Sequence, residues 1–346
     1  MYKTGQEILS QFDALKKTYN YMLGMAGEIR SFAGKTPFRS ITFTGCGSSY
    51  SLCKSAETSY KLRSGKPANA VAAGDLMVNF EGYKAFLGDT LLVAPSRSGS
   101  TSEVILAVQK AVDKLGVRCV SIAARENTEM GKTAGLSLEI PWAFDNSVCQ
   151  TRTVTNLYLA DLIFIGILLE DDTLLKELHD VISRGSSFIE QARHLAEAVV
   201  NNESWERVVV LADSELAGIA EEGALAFNEI CRISSNYYHV LDVRHGPMVL
   251  INKKTLVIMA CSPYETIYQK ELIKDLKSRE AVVVTVSSNL INIWGSDYNI
   301  TVPEYKNYGV NGVPFILMPQ LISYYKALKE GINPDLPDGL EPWIVL

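Results

Sequence analysis

Thr90-Leu91-Leu92-Val93-Ala94-Pro95-Ser96-Arg97-Ser98-Gly99-Ser100-Thr101-Ser102-Glu103 is the stretch on which the reading of the fold turns. Leu91 to Ala94 is a short, continuous apolar run, the pattern of a parallel strand covered on both faces. From Val104 the period changes: Val104, Leu106, Ala107, Val108, Ala111 and Leu115 make one apolar helical face, and Gly116 stops it. Ser100 and Glu103 have the spacing of a capping box, which predicts a helix N-terminus here. Free backbone N–H groups and the positive end of the helix dipole suit an anion. Ser96, Ser98 and Thr101 around Gly99 add hydroxyl donors with no Walker lysine, which points to a phosphate monoester and away from ATP. By itself the stretch favours a plainer reading, because Ser, Gly and Thr cap strand-to-helix turns for structural reasons alone.

A chain of 346 residues exceeds one ordinary hydrophobic core, so two α/β lobes are expected. The apolar and charged fractions, 47% and 21%, are those of a globular protein. No uninterrupted apolar stretch is read as a membrane span, and Met1-Tyr2-Lys3-Thr4-Gly5-Gln6 has no signal core, so a cytoplasmic protein without a membrane partner is expected. A net charge of −6 argues against a nucleic-acid surface but leaves room for one phosphate held by local donors. The six cysteines are scattered without paired C-x-x-C motifs and there are only four histidines, so reduced thiols are expected and no metal or other cofactor.

Outward from the central stretch, residues 5–33 carry apolar positions three or four apart, predicting an amphipathic helix or a broken pair. Ile41 to Thr44 reads as a strand running into Gly45-Cys46-Gly47-Ser48-Ser49-Tyr50 and a helix, a second glycine-and-hydroxyl turn. Two such turns at strand ends can converge on one ligand. Gly45 and Gly47 lack the third glycine of a dinucleotide fingerprint. Val117 to Ile122 is another strand, and a polar loop around Asp145 to Thr155 feeds an apolar helix near Tyr158 to Leu169. The order then recurs with strands at 208–212, 255–260 and 281–286, so one βαβ lobe is used twice. The second copy of the turn is Cys261-Ser262-Pro263-Tyr264-Glu265, which assigns phosphate binding to the first lobe. The expected organisation is a helical segment at 1–34, a first lobe at 35–170, a helical connection at 171–203 and a second lobe with its tail at 204–346.

In the second lobe, Glu222, Leu225, Ala226 and Glu229 share one helical face. A partly buried Glu229 would suit a general base, whereas a solvated surface carboxylate is the commoner fate and is favoured by spacing alone. His245, in Asp242-Val243-Arg244-His245-Gly246-Pro247, is a loop histidine that serves equally as an acid-base group or as a surface residue.

Together these stretches resemble the tandem sugar isomerase (SIS) domain family, specifically the isomerase half of glucosamine-6-phosphate synthase and the stand-alone amino-sugar-phosphate deaminases and deglycases. The resemblance runs from about Ile41 to Leu346 and rests on Gly45 to Tyr50, Ser96 to Thr101, Val148-Cys149-Gln150-Thr151-Arg152, Glu222 to Leu225 with Glu229, and Arg244 to Pro247. It implies an α/β fold of two SIS lobes, each a mainly parallel sheet flanked by helices. It implies that Ser48, Ser49, Ser96, Arg97, Ser98 and Thr101 hold a sugar phosphate and that the backbone of Val148 touches the sugar. It further implies that Glu229 moves a proton between C1 and C2, and that His245 opens the ring from a neighbouring subunit, hence a homodimer.

Three departures from the synthase follow. Ala226 and Pro342 stand where it has lysines, and no cysteine follows Met1, so no glutaminase is expected. Release of an amine by water from an amino-sugar phosphate is therefore expected in place of synthesis. A simple aldose-ketose phosphate isomerase and a non-catalytic sugar-phosphate binder are the alternatives. A DNA-bound regulator is disfavoured, because the segment before Lys35 is too short for a helix-turn-helix with a basic recognition helix.

Overall fold

The computed structural model describes residues 1–288 and 292–340. They form two compact units: one of Ser10–Asp145 and Gln150–Ile182, the other of Met1–Leu9, Asn146–Cys149 and Ser183–Leu340. The first part of the chain holds α1 (Lys3–Leu9), α2 (Gln11–Gly24), α3 (Ala26–Gly34), β1 (Ser40–Gly45), α4 (Ser48–Ser64), β2 (Ala68–Ala72), α5 (Ala73–Val78) and α6 (Phe80–Leu87). Then come β3 (Thr90–Ser96), α7 (Ser102–Leu115), β4 (Arg118–Ala123), α8 (Glu129–Thr133), β5 (Leu136–Glu139), α9 (Arg152–Leu169), α10 (Asp172–Ser183) and α11 (Gly185–Asn202). The remainder is β6 (Arg207–Leu211), α12 (Ala217–Ile230), β7 (Ser235–Tyr238), β8 (Thr255–Ala260), α13 (Thr266–Ser278), β9 (Val282–Ser287), β10 (Tyr298–Thr301), α14 (Gly312–Phe315) and α15 (Leu317–Lys329).

Each unit is built on a five-stranded sheet whose strands all pair in parallel. The first runs β2-β1-β3-β4-β5, and the second, read from its β7 edge, runs β7-β6-β8-β9-β10. The two orders are the same, so the expected α/β fold with one lobe used twice is what the chain forms. In this doubly wound order the chain reverses direction across the sheet between β1 and β3, and between β6 and β8, and ligands sit at that switch point. Every residue of β1, β3, β8 and β9 is buried, as continuous apolar strands covered on both faces must be.

The amphipathic stretch expected over residues 5–33 is three helices. Ser10 (φ −97°, ψ 5°) and Met25 (φ −85°, ψ 1°) lie outside helical geometry and break it. The expectation that no stretch is long and apolar enough for a membrane is corrected by α9, an 18-residue helix of mean hydropathy 1.5. That helix is 83% buried, and a helix apolar on every side is what the centre of a helical layer calls for. It carries one carboxyl, Asp161, 1% exposed, and neither of its oxygens has a hydrogen-bond partner among the described residues. All six cysteines are free thiols, five of them buried and Cys46 half-buried.

Candidate functional site

The two glycine-and-hydroxyl turns lie at the carboxyl ends of neighbouring strands, since β1 and β3 pair from Ser40↔Thr90 to Phe43↔Val93. They therefore flank the switch point of the first sheet. Ser48, Ser49, Ser96, Arg97 and Ser98 are each no more than 5% exposed, and Thr101 is half-buried. The backbone N–H of Gly99 donates to Ser96 Oγ at 3.0 Å and that of Ser100 to Ser98 Oγ at 3.1 Å. Ser98 Oγ and Thr101 Oγ1 lie 3.5 Å apart. A hydroxyl whose oxygen accepts from backbone keeps its hydrogen for donation, so these bonds set the serines as donors toward an anion. Arg97, between Ser96 and Ser98, is a buried cation in the same turn.

The expected capping box is not formed. α7 starts one residue later, at Ser102, with Thr101 in the cap position and no side-chain cap bond. Ser98 and Ser100 instead bond to each other through backbone and hydroxyl, Ser100 Oγ donating to Ser98 O at 3.2 Å. Glu103 lies beside Cys46, whose thiol is pushed up to about 11, by burial first and by the Glu103 carboxylate second. Cys46 thus stays a neutral thiol at pH 7 and offers no thiolate nucleophile in the turn.

Glycine is required twice here. Gly99 has φ +59°, and a Cβ on it would lie 2.6 Å from Thr128 Cβ. A Cβ on Gly45 would lie 2.9 Å from the backbone carbon of Ser49. Inorganic phosphate is expected to raise the melting temperature of the parent protein, and Gly99→Ala is expected to lower stability by about 1–3 kcal/mol through left-handed strain and to abolish that rise. A thermal-shift titration with phosphate reads both, and an unchanged phosphate response would remove the turn from the site.

The motif from Val148 to Arg152 spans a division of labour. In the first unit, buried Asp145 accepts the N–H groups of Thr151 and Thr153 at 2.8 and 2.9 Å and so caps the start of α9, with Arg152 Nε 3.8 Å from its other oxygen. In the second unit, the N–H of Val148 donates to Asp335 O at 3.0 Å.

The second unit also holds the two residues expected to do acid-base chemistry. Glu229 sits in the last turn of α12 and is half-buried; it is Glu222, two turns earlier, that is fully buried at 2% exposure. Gly223 lets α12 pack directly on α15, for a Cβ there would lie 2.8 Å from Pro319 Cγ. Ala226 is buried at 3% exposure, so the helix presents no amine at that place. His245 follows a short 3-10 turn at Asp242–Arg244, its N–H donating to Asp242 O at 2.8 Å, with an exposed side chain. Arg244 is tied to Asp275, Nε to Oδ2 2.9 Å, and Gly246 has φ +123°. Val148, Glu229 and His245 thus belong to one unit but to three different elements. Pro342 lies outside the described residues.

The SIS domain model matches residues 37–164 and 203–328. The chain belongs to the SIS domain family. Among SIS relatives, the D-galactosamine-6-phosphate deaminase of Shewanella sp. (strain ANA-3) is 30% identical over 293 residues, 78% of this chain and 69% of that one. The isomerizing glutamine–fructose-6-phosphate aminotransferase of Chlamydia abortus is 26% identical over 97% of this chain, which spans only 57% of the aminotransferase's length. Among solved SIS structures, the glucosamine-6-phosphate deaminase of Thermotoga maritima superposes with a TM-score of 0.83 at 27% identity, covering 99% of this chain and 100% of that one.

Two features of this SIS chain escaped sequence reasoning. Glu7 and Asp335 bind the 146–149 segment from the two ends of the chain, and no local pattern announces contacts between residues so far apart. Asp213 and His239 form a pair, Oδ1 to Nδ1 2.9 Å, with the hydroxyl of Tyr237 3.2 Å from the same nitrogen. An aspartate and a histidine each lying just past the end of one of two neighbouring strands were the signal available for it.

Proposed function

We propose that this SIS protein is an enzyme acting on an amino-sugar 6-phosphate or a sugar-amine 6-phosphate, releasing the amine by hydrolysis, and working as a cytoplasmic homodimer. The observation that carries the reading is the serine turn at the switch point of the first sheet, where backbone N–H groups hold Ser96 and Ser98 as donors beside Arg97. A phosphate monoester satisfies that donor set. The kinship with deaminases of amino-sugar phosphates supplies the class of substrate.

In this reading Ser48, Ser49, Ser96, Arg97, Ser98 and Thr101 hold the phosphate, and the Val148 backbone contacts the sugar. His245 assists ring opening. Glu229 takes the proton from whichever of C1 and C2 bears nitrogen, which leaves an enolamine, and returns it to the other carbon. The enolamine so formed becomes an imine; water adds to its carbon, the carbon–nitrogen bond breaks, and sugar phosphate and amine leave. As the proton leaves, the electrons pass into the open-chain sugar's own carbonyl, so the chemistry calls for no added cofactor. Ala226 in place of the synthase's lysine supports release over synthesis.

The test is incubation with glucosamine 6-phosphate, galactosamine 6-phosphate and fructosamine-type 6-phosphates, with amine and sugar phosphate both quantified. Equal amounts of the two products are expected from at least one of these. Aldose-ketose conversion without amine would make the protein a simple isomerase, and binding without turnover would make it a sugar-phosphate binder.

A further inference from the structure

Glu7 is buried at 4% exposure, although a carboxylate on a helix near a chain end is ordinarily solvated. Its partners explain the burial. Oε1 accepts the N–H of Asn146 at 2.6 Å and that of Ser147 at 3.3 Å, and Oε2 accepts the Ser147 hydroxyl. Ser147 is itself 3% exposed. From the other side, Asp335 O accepts the Val148 N–H at 3.0 Å. The Asp335 carboxylate in turn accepts the N–H groups of Lys3 and Thr4 at 2.9 and 2.8 Å, fixing the start of the helix that carries Glu7. The three consecutive amides of Asn146, Ser147 and Val148 are thus all held by groups from the two ends of the chain, and those two ends hold each other.

We infer that Glu7 is a positioning residue for the sugar-contacting segment, acting through Ser147 on the backbone of Val148. The inference rests on the reading that Val148 touches the sugar, and it adds to that reading the group that sets where Val148 stands. Charge-assisted hydrogen bonds to consecutive amides fix both the path and the rotation of a segment. A contact made by backbone depends on such support, since no rotamer change can restore it.

The experiment uses the full chain with Glu7→Gln, which keeps the side-chain shape but turns one acceptor into a donor facing Ser147. Glu7→Asp and Asp335→Ala accompany it. Hydrogen exchange at the 146–148 amides is expected to accelerate at least about tenfold in Glu7→Gln and Asp335→Ala and to be partly restored in Glu7→Asp. KM for the turned-over phosphosugar is expected to rise by about tenfold or more, while the inhibition constant of inorganic phosphate stays within about twofold. Unchanged exchange, or equal losses for phosphosugar and inorganic phosphate, would overturn the assignment. Should Glu7→Gln fail to fold, Ser147→Ala removes a single bond of the same set and is read in the same way. If the parent protein turns over no phosphosugar, the functional reading falls, and the exchange measurement alone decides whether Glu7 holds the segment.

Discussion

Glu229→Gln is expected to lower amine release by about 10²–10⁴-fold, the range over which a positioned general base contributes, and to leave the affinity for the phosphosugar nearly unchanged. Glutamine matches glutamate in size, so the last turn of α12 keeps its packing while the proton acceptor is lost. The step at stake is transfer between C1 and C2, so turnover in D2O provides an independent readout. The parent enzyme is expected to place deuterium on the carbon that receives the proton, and the variant is not. The same substitution at fully buried Glu222 separates a base from a structural carboxylate. Undiminished turnover with Gln at 229 would take the base away from this residue.

Asp161→Asn is expected to stabilise the protein at pH 8, because an amide ionises in neither the folded nor the unfolded state, and to flatten its pH dependence. Burial of Asp161 raises its carboxyl well above the usual carboxylate range. A carboxyl raised in the folded state favours folding most at pH values below about 4, where the unfolded chain is also protonated. That contribution is lost as pH rises toward the folded-state value. Urea unfolding midpoints of the parent protein should fall between pH 4.5 and 8 relative to those of the variant. Parallel pH profiles for the two would mean that Asp161 is solvated or paired.

The strands read from sequence were β1, β3, β4, β6, β8 and β9, and the ones missed were β2, β5, β7 and β10. The missed strands are the edges of the two sheets. An inner strand buries both faces and shows as an apolar run such as Leu256-Val257-Ile258-Met259, whereas the edge strand Ala68-Asn69-Ala70-Val71-Ala72 keeps three of its five residues partly exposed and is built mostly of alanine. The serine turn between β3 and α7 was legible as a turn because its features are local: its glycine and hydroxyls lie within a few residues of one another. The misplaced capping box shows the limit of that reading, since Ser100 pairs with Ser98 and leaves the cap position to Thr101. Spacing placed Glu222 and Glu229 on one helical face but left open which was buried. Burial depends on which neighbouring elements cover each part of the helix, and spacing does not contain that. The support of Val148 by Glu7 and Asp335 was invisible for a plainer reason, since it joins segments that only tertiary structure brings together.

The pairing of Thr4 with Asp335 across 331 positions also governs how the molecule can be made. On a ribosome the helix that carries Thr4 emerges long before Asp335, and Ser10–Asp145 and Gln150–Ile182 of the other unit are made while it waits. At about 5–20 residues per second the wait is roughly 15–65 s. A chain halted before Asp335 is therefore left with the helix that carries Glu7 lacking the residue that secures it.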